Sequence, residues 1–341
     1  MSTLNLNYLK HPSSSTTNLT LNDDGSTVIT PSVQTTARNK IINGSFAVDQ
    51  RNAGGSQTVT AGAALAYTCD RWYAYCTGAN VTGQRIAGSA PFQYYYRFTG
   101  AASNTAVGFG TRLEAADTFH LAGQTATLSV YAASSSITTL TWTAYYANTT
   151  DSFGTLASPT RTQIATGTFT INSTLARKSV QISVPSAATT GIEVVFTVGA
   201  LLGSQTLTFA GVQLEVGPVA TPFEFEPFET TLRKCQRYFR TITGFAASAV
   251  GANPSLVDAL IETGSMRAAD KAVGQTGTFY ALDPSWSGGG SQSPASISIV
   301  ANLPGYVRIR FNNFSGLTGS KFYWMYGATT GLEVVTLSAE M

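Results

Sequence analysis

The side chains best suited to chemistry in this chain are aromatic. Tyr94-Tyr95-Tyr96, Tyr145-Tyr146 and Tyr323-Trp324-Met325-Tyr326 are clustered, and Phe, Trp and Tyr together make up 11% of the residues. Flat aromatic faces stack on sugar rings, while amides and hydroxyls orient the ligand. Neighbouring residues of a strand point to opposite faces, so at least one of Tyr94, Tyr95 and Tyr96 must turn away from a core. Tyr94, Tyr95, Tyr96, Tyr145, Trp324 and Tyr326 are therefore the candidates for glycan contact. The alternative use of such rings is core or subunit interface. A second set is basic: Arg233, Arg237 and Arg240 recur at i, i+4 and i+7. That stripe suits an anion, or the solvated or subunit-facing edge of a connector.

Catalytic patterns are scarce. Gly108-Phe109-Gly110 begins like a dinucleotide fingerprint, but Leu113 stands at the last glycine position and no βαβ unit surrounds it. His120 lies near Asp117 with no identifiable nucleophile. Asp70, Glu114, Asp117 or Glu193 could supply the opposed carboxylates of a glycosidase, yet the sequence places no two of them across a cleft. Two histidines and three scattered cysteines make no zinc constellation. The chain thus reads as non-enzymatic, with no metal and no cofactor. Cys69, Cys76 and Cys235 are odd in number and no secretory leader precedes them, which fits free thiols; a Cys69–Cys76 disulfide is the alternative.

The elements that must position these residues are strands. Leu140, Trp142 and Ala144 alternate with Thr141 and Thr143; Val180, Ile182 and Val184 alternate with Gln181 and Ser183; Ile192, Val194, Phe196 and Val198 continue the pattern. Short runs of period two bounded by Gly, Pro, Asn or Ser predict half-buried antiparallel sheets, and many in succession predict a sandwich or jelly roll. Leu207 and Phe209 have one parity and Val212, Leu214 and Val216 the other, which predicts a bulge at Ala210-Gly211. Phe228, Leu232, Cys235 and Phe239 predict one amphipathic helix, with Pro227 at its start. Farther on, Val307, Ile309 and Phe311 predict a strand, as do Phe322, Trp324 and Tyr326, and then Leu332, Val334 and Thr336; Gly288-Gly289-Gly290-Ser291 reads as a loop. The expected organisation is all-β. Residues 1–38 form a β attachment or oligomerisation segment, 39–225 a jelly roll, 226–240 a helical connector and 241–341 a smaller β-sandwich.

Composition narrows the class further. Of 341 residues 43% are hydrophobic, which excludes a disordered polyelectrolyte. Only 11% are charged, too few for the solvated faces of a helical bundle. A net charge of +2 gives no reason to expect nucleic acid. No run approaches 18 apolar residues, so no membrane-spanning helix is expected.

One resemblance joins these regions. Asn39-Lys40-Ile41-Ile42-Asn43-Gly44-Ser45-Phe46, followed by Asp49-Gln50-Arg51, resembles a segment of bacteriophage virion proteins, and Tyr67-Thr68-Cys69-Asp70-Arg71-Trp72 resembles the segment that follows it. Phe209-Ala210-Gly211-Val212-Gln213-Leu214-Glu215-Val216-Gly217 looks like the closing strand of the same jelly roll. Ala220-Thr221-Pro222-Phe223-Glu224 and Cys235-Gln236-Arg237-Tyr238-Phe239 complete an order similar to that of tail-fibre and appendage proteins. The start Met1-Ser2-Thr3-Leu4, the pieces His11-Pro12-Ser13-Ser14 and Met266-Arg267-Ala268-Ala269, and Thr336 to Met341 resemble cyanophage and marine-phage structural proteins. The jelly roll is also similar to carbohydrate-binding modules, which open on an Asn-x-x-Phe-like strand and close on a Gln-Leu-Glu strand. The resemblance implies a virion protein assembled in a bacterial cytoplasm. It would be a homotrimeric tail fibre or appendage, attached to tail or capsid proteins through residues 1–40 and contacting host-surface polysaccharide. The rival readings are a capsid decoration or head-fibre protein that binds no sugar, and a polysaccharide depolymerase. Such modules often hold a calcium ion partly through an acid of the last strand; Ala210 and Gly211 stand there instead, so no calcium is expected.

Overall fold

The computed structural model describes residues 8–9, 19–21, 23, 27–29, 37–242, 245–249, 255–264, 266–267, 271–276, 279–282, 289–292, 297–303, 305–314, 317, 322–327 and 334–341. Near the N-terminus, β1 (Tyr8–Leu9), β2 (Leu19–Leu21) and β3 (Thr27–Ile29) form a small antiparallel sheet in the order β1-β2-β3.

Twelve strands then build a jelly-roll sandwich. They are β4 (Gln57–Val59), β5 (Ala66–Tyr67), β6 (Trp72–Thr77), β7 (Val81–Ala87), β8 (Tyr94–Thr99), β9 (Ala106–Leu113), β10 (Thr125–Ser134), β11 (Thr139–Ala147), β12 (Arg161–Thr170), β13 (Ala176–Ser183), β14 (Ile192–Val198) and β15 (Thr206–Val216). One sheet has the order β13-β10-β15-β8-β7-β4 and the other β12-β11-β14-β9-β6-β5. The alternation read from the sequence decides the faces: Leu140, Trp142 and Ala144 are buried between the sheets, as are Ile192, Val194 and Phe196. The middle of the sandwich is aromatic. Trp72 and Tyr96 each stack on Phe109, at 4.7 and 5.0 Å, and Phe46, Phe98, Phe196 and Phe209 close around them. A four-residue helix, α1 (Ala115–Thr118), interrupts the β pattern after β9.

The expected bulge is present. Ser129 pairs with Gln213 and Tyr131 with Ala210, so two residues of β15 face one of β10. Gly211 takes φ +49, and a Cβ there would fall 2.3 Å from Cζ of Phe92, so only glycine fits. Asn43 to Phe46, an opening strand by resemblance, is a turn instead: Asn43 and Phe46 both have positive φ, 58° and 57°. The Asn43 side chain stabilises it by donating to the Val48 and Asp70 carbonyls at 2.8 and 2.9 Å.

The second helix, α2 (Phe228–Gln236), begins behind Pro227 as expected but stops earlier, because β16 (Phe239–Ile242) starts three residues later. It buries Thr231 and Cys235 and leaves Phe228 exposed. The remaining strands are β17 (Phe245–Ala249), β18 (Val257–Glu262), β19 (Ala272–Thr276), β20 (Phe279–Leu282), β21 (Gly289–Gln292), β22 (Ile297–Leu303), β23 (Tyr306–Phe311), β24 (Phe322–Gly327) and β25 (Val334–Ser338). They make a three-stranded sheet, β16-β25-β19, and a seven-stranded sheet, β21-β20-β24-β17-β18-β23-β22. Val307, Ile309 and Phe311 enter its core as the alternation predicts. Three details differ from expectation. Gly289–Gln292 is an edge strand on β20 rather than a loop, since glycine backbone can pair where no side chain has to pack. In β24 it is Tyr323 and Met325 that are buried while Phe322 is exposed, and in β25 Val335 and Leu337 are buried. Where hydrophobic residues are consecutive, alternation alone does not say which parity faces inward.

Candidate functional site

The outer face of the second jelly-roll sheet carries an unusual pair of contacts. Strand β6 reads Trp72-Tyr73-Ala74-Tyr75-Cys76; Trp72, Ala74 and Cys76 join the core, so Tyr73 and Tyr75 lie outside. Across the ladder, Tyr73 pairs with Gly110 and Tyr75 with Gly108. A Cβ on Gly108 would fall 2.1 Å from Cζ of Tyr75, and one on Gly110 2.6 Å from Cζ of Tyr73. Each ring therefore lies across bare glycine backbone. Glycine weakens a strand interior, but here it admits a ring that any side chain would displace.

Tyr73 is fully buried and donates its hydroxyl to Oε1 of Glu193 at 2.7 Å. Burial, and then the Glu193 carboxylate, push its phenol well above the ordinary range. Glu193 also accepts from Nε of Arg112 at 2.7 Å and from Arg161. The Arg161 guanidinium sits over the Tyr145 ring, 4.2 Å from its centroid. Tyr75, Tyr145 and Arg161 stay half-buried and open to solvent. The β5 end of this face is covered instead: Tyr67 Oη and Arg112 Nη1 both donate to the Met341 carbonyl, at 2.9 and 2.5 Å.

Of the glycan-contact candidates with described side chains, Tyr145 alone belongs to this platform. Tyr96 is 1% exposed and packs on Phe46, Phe98 and Phe109, so it is a core residue and no glycan contact. Tyr94 lies half-buried on the other sheet beneath Arg85, 4.2 Å from the guanidinium. Tyr95 is the member of the triplet that faces away from the core, and its hydroxyl meets Ser89 Oγ at 2.6 Å. Trp324 and Tyr326 fall in β24, but their side chains lie outside the described residues. The candidates are thus spread over the two jelly-roll sheets and β24.

The basic stripe does not hold together. Arg233 is exposed on α2, Arg237 follows the helix, and Arg240 is in β16, reaching toward the Glu262 carbonyl at 3.4 Å. Arg237 grips Glu114 through Nε and Nη2 at 3.2 and 2.8 Å. It borders a cleft of about 310 Å³ with Lys40, Asp117, His120 and Lys234. Lys234 pairs with Glu226, so cations and carboxylates nearly balance there.

Carboxylates that might have catalysed hydrolysis hold the fold. Glu193 ties Tyr73, Arg112 and Arg161 together. Glu114 accepts from Arg237 and forms an ion pair with Arg267 at 3.2 Å. Asp70 accepts from the Gln50 amide and side chain at 2.6 and 2.7 Å, and burial raises its pKa to about 6. The motif behind the family resemblance also works structurally. Arg71, 1% exposed, bonds Glu340 and lies 3.4 Å from the Tyr238 ring; Arg51 reaches the same Glu340 at 2.8 Å. Calcium does not fit the closing strand, where Ala210 and Gly211 offer no side-chain oxygen and Phe92 fills the space beside Gly211. Among the described residues no three His, Cys, Asp or Glu side chains gather around a point. All three cysteines are buried and unbonded.

No family model matches the sequence, and no curated protein matches it. Solved structures do show likeness. A CBM4 module has 14% identity and a TM-score of 0.32, over 51% of this chain and 98% of its own. TmCBM61, solved with β-1,4-galactotriose, has 11% identity and a TM-score of 0.34, over 53% and 100%. The enzymatically active domain of bacteriophage CBA120 tailspike protein 4 has 12% identity and a TM-score of 0.31, over 52% of this chain and 21% of its own.

Sequence reasoning missed Tyr73, Tyr75 and Arg161. The signal was present as two facing patterns of period two, Tyr-x-Tyr in β6 and Gly-x-Gly in β9. It is hidden because Gly108-Phe109-Gly110 also fits the start of a phosphate loop, and the sequence does not show which strand faces it.

Proposed function

We propose that this chain is a non-enzymatic glycan-binding protein, and that the sugar stacks on Tyr75 with Tyr145 and Arg161 beside it. The supporting observation is the seating of Tyr75 over Gly108. The ring is fixed by its neighbours while remaining partly open, so stacking costs little side-chain entropy. The arginine on Tyr145 is fixed in the same way by Glu193. The test is a glycan array followed by calorimetry with the wild type and Tyr75→Ala. Loss of one stacking ring removes about 1 kcal/mol or more, hence a Kd weaker by roughly fivefold or more. Equal binding by both proteins overturns the assignment.

The virion setting belongs to the same proposal and rests on the motifs shared with phage appendage proteins. In it, residues 1–40 would attach a homotrimer to tail or capsid proteins, and the sandwich would meet host polysaccharide. Sedimentation of a stable monomer would remove the trimer, and microscopy of particles would locate the protein on tail or head.

A further inference from the structure

Beside the aromatic platform the same sheet face carries a lattice of threonines. In β11 the outward residues are Thr139, Thr141 and Thr143, because Leu140, Trp142 and Ala144 point into the core. In β12 they are Thr166, Thr168 and Thr170, because Phe169 points inward and Gly167 lies under the Trp142 ring. The register pairs them one to one: Thr139 with Thr170, Thr141 with Thr168, Thr143 with Thr166. On the other side of Thr141 stands Thr197 of β14, then Gly108 of β9, then Tyr75. One row of paired residues thus runs across five strands, from Tyr75 over Gly108 to Thr197, Thr141 and Thr168. Its length is about 19 Å, four steps of roughly 4.8 Å.

Two features separate this row from ordinary sheet surface. First, it is uncharged and nearly uniform. The outward positions of β13, an edge strand of the opposite sheet, read Arg177, Ser179, Gln181 and Ser183, so strand propensity alone does not produce such uniformity here. Second, its hydroxyls are available. Thr143 and Thr166 bond each other at 3.0 Å and Thr166 reaches the Trp142 carbonyl, but Thr139, Thr141, Thr168, Thr170 and Thr197 have no side-chain partner among the described residues. Each hydroxyl offers one donor and two acceptor sites, on a β-branched side chain with few rotamers.

We infer that the threonine row is the hydrogen-bonding half of the binding face and that its ligand is a linear, uncharged, extended polysaccharide lying across the strands. The inference rests on the stacking role proposed for Tyr75. Sugar hydroxyls both donate and accept, as threonine does, so the two surfaces are complementary without any charge. An acidic chain would gain nothing along the row, since the nearest charges, Arg161 and Glu193, already pair with each other. A branch pointing at the row would hold the sugar backbone away from the threonine hydroxyls.

Calorimetry on the full chain decides the matter with cello-, manno-, galacto- and xylohexaose, their disaccharides and a hexameric oligogalacturonate. At least one neutral hexasaccharide should bind, and the double variant Thr141→Val, Thr168→Val should weaken it on the order of 10- to 30-fold. Thr141→Ser, Thr168→Ser should restore the affinity, which excludes a folding defect. The disaccharide, too short to leave Tyr75, should be insensitive to the valines and sensitive to Tyr75→Ala. A hexasaccharide indifferent to the valines overturns the threonine row while leaving the Tyr75 reading intact. Tighter binding of the oligogalacturonate overturns the neutral class. No binding by any of these sugars, with or without the valines, overturns both.

Discussion

Tyr75 and Gly108 face each other across two strands, and the tyrosine ring occupies the space a side chain on Gly108 would need. A Cβ on Gly108 would fall 2.1 Å from the ring Cζ, far inside van der Waals distance. Tyr73 and Gly110 repeat it one pair farther along. The four residues turn one end of a sheet into an aromatic floor.

Gly108→Ala should therefore act on binding before stability. The Tyr75 ring is half-buried and can swing outward, so the fold should lose only about 1 kcal/mol, while glycan affinity should fall as far as in Tyr75→Ala. Gly110→Ala meets a fully buried ring and should cost about 1–3 kcal/mol. Chemical denaturation of both variants, read beside calorimetry, checks the order.

Glu193→Gln should be among the most damaging single substitutions. It leaves Arg112, nearly buried, and Arg161 without their shared carboxylate. Removing one partner of a buried ion pair costs about 3–5 kcal/mol. The midpoint of urea unfolding should drop with little change in m.

Asp70 gives the chain a pH dependence of unusual sign. Its folded carboxyl keeps its proton up to about pH 6, because burial disfavours the charge. An unfolded aspartate releases its proton near pH 4. Between these values the folded state binds more protons, so the contribution of Asp70 to stability falls as pH rises from about 4 to about 6, by roughly 2–3 kcal/mol. The stability of wild type relative to Asp70→Asn should decline across that window and level off above it, in urea titrations at stepped pH.

The thiols should be silent in the native protein. Burial pushes Cys69 and Cys235 well above the usual thiol range, and raises Cys76 as well. A thiol reagent at pH 8 should label none of the three before denaturation and all three after it. Labelling of one cysteine after unfolding without reductant would reveal a Cys69–Cys76 bond instead.

Much of the fold was legible because its strands alternate cleanly. Leu140-Thr141-Trp142-Thr143 marks a strand of one sheet, and the parity change at Gly211 marks a bulge in the other. The face proposed to bind was harder to read. In Trp72-Tyr73-Ala74-Tyr75-Cys76 every residue is apolar or aromatic, so no alternation marks the outward pair. What makes Tyr75 a platform is a neighbour 33 positions away, and that pairing is set by tertiary register. Tyr96 misled for the same reason: in Tyr94-Tyr95-Tyr96 the inward parity is decided by Phe98 and Phe109, which surround its ring. The phage-like motif was recognisable, but its chemistry was not, since Arg51 and Arg71 meet their partner 289 and 269 residues later.

That long-range clasp has a consequence for biogenesis. During synthesis a sandwich of residues 37–225 can collapse as soon as it leaves the ribosome, N-terminal units folding first. Arg71 then waits in a hydrated slot, because its carboxylate has yet to be made. Only when residue 340 emerges can the slot dehydrate and lock. Chain elongation thereby becomes a timer, and a nascent chain stalled before Glu340 would carry a collapsed sandwich whose Arg71 still lacks its carboxylate.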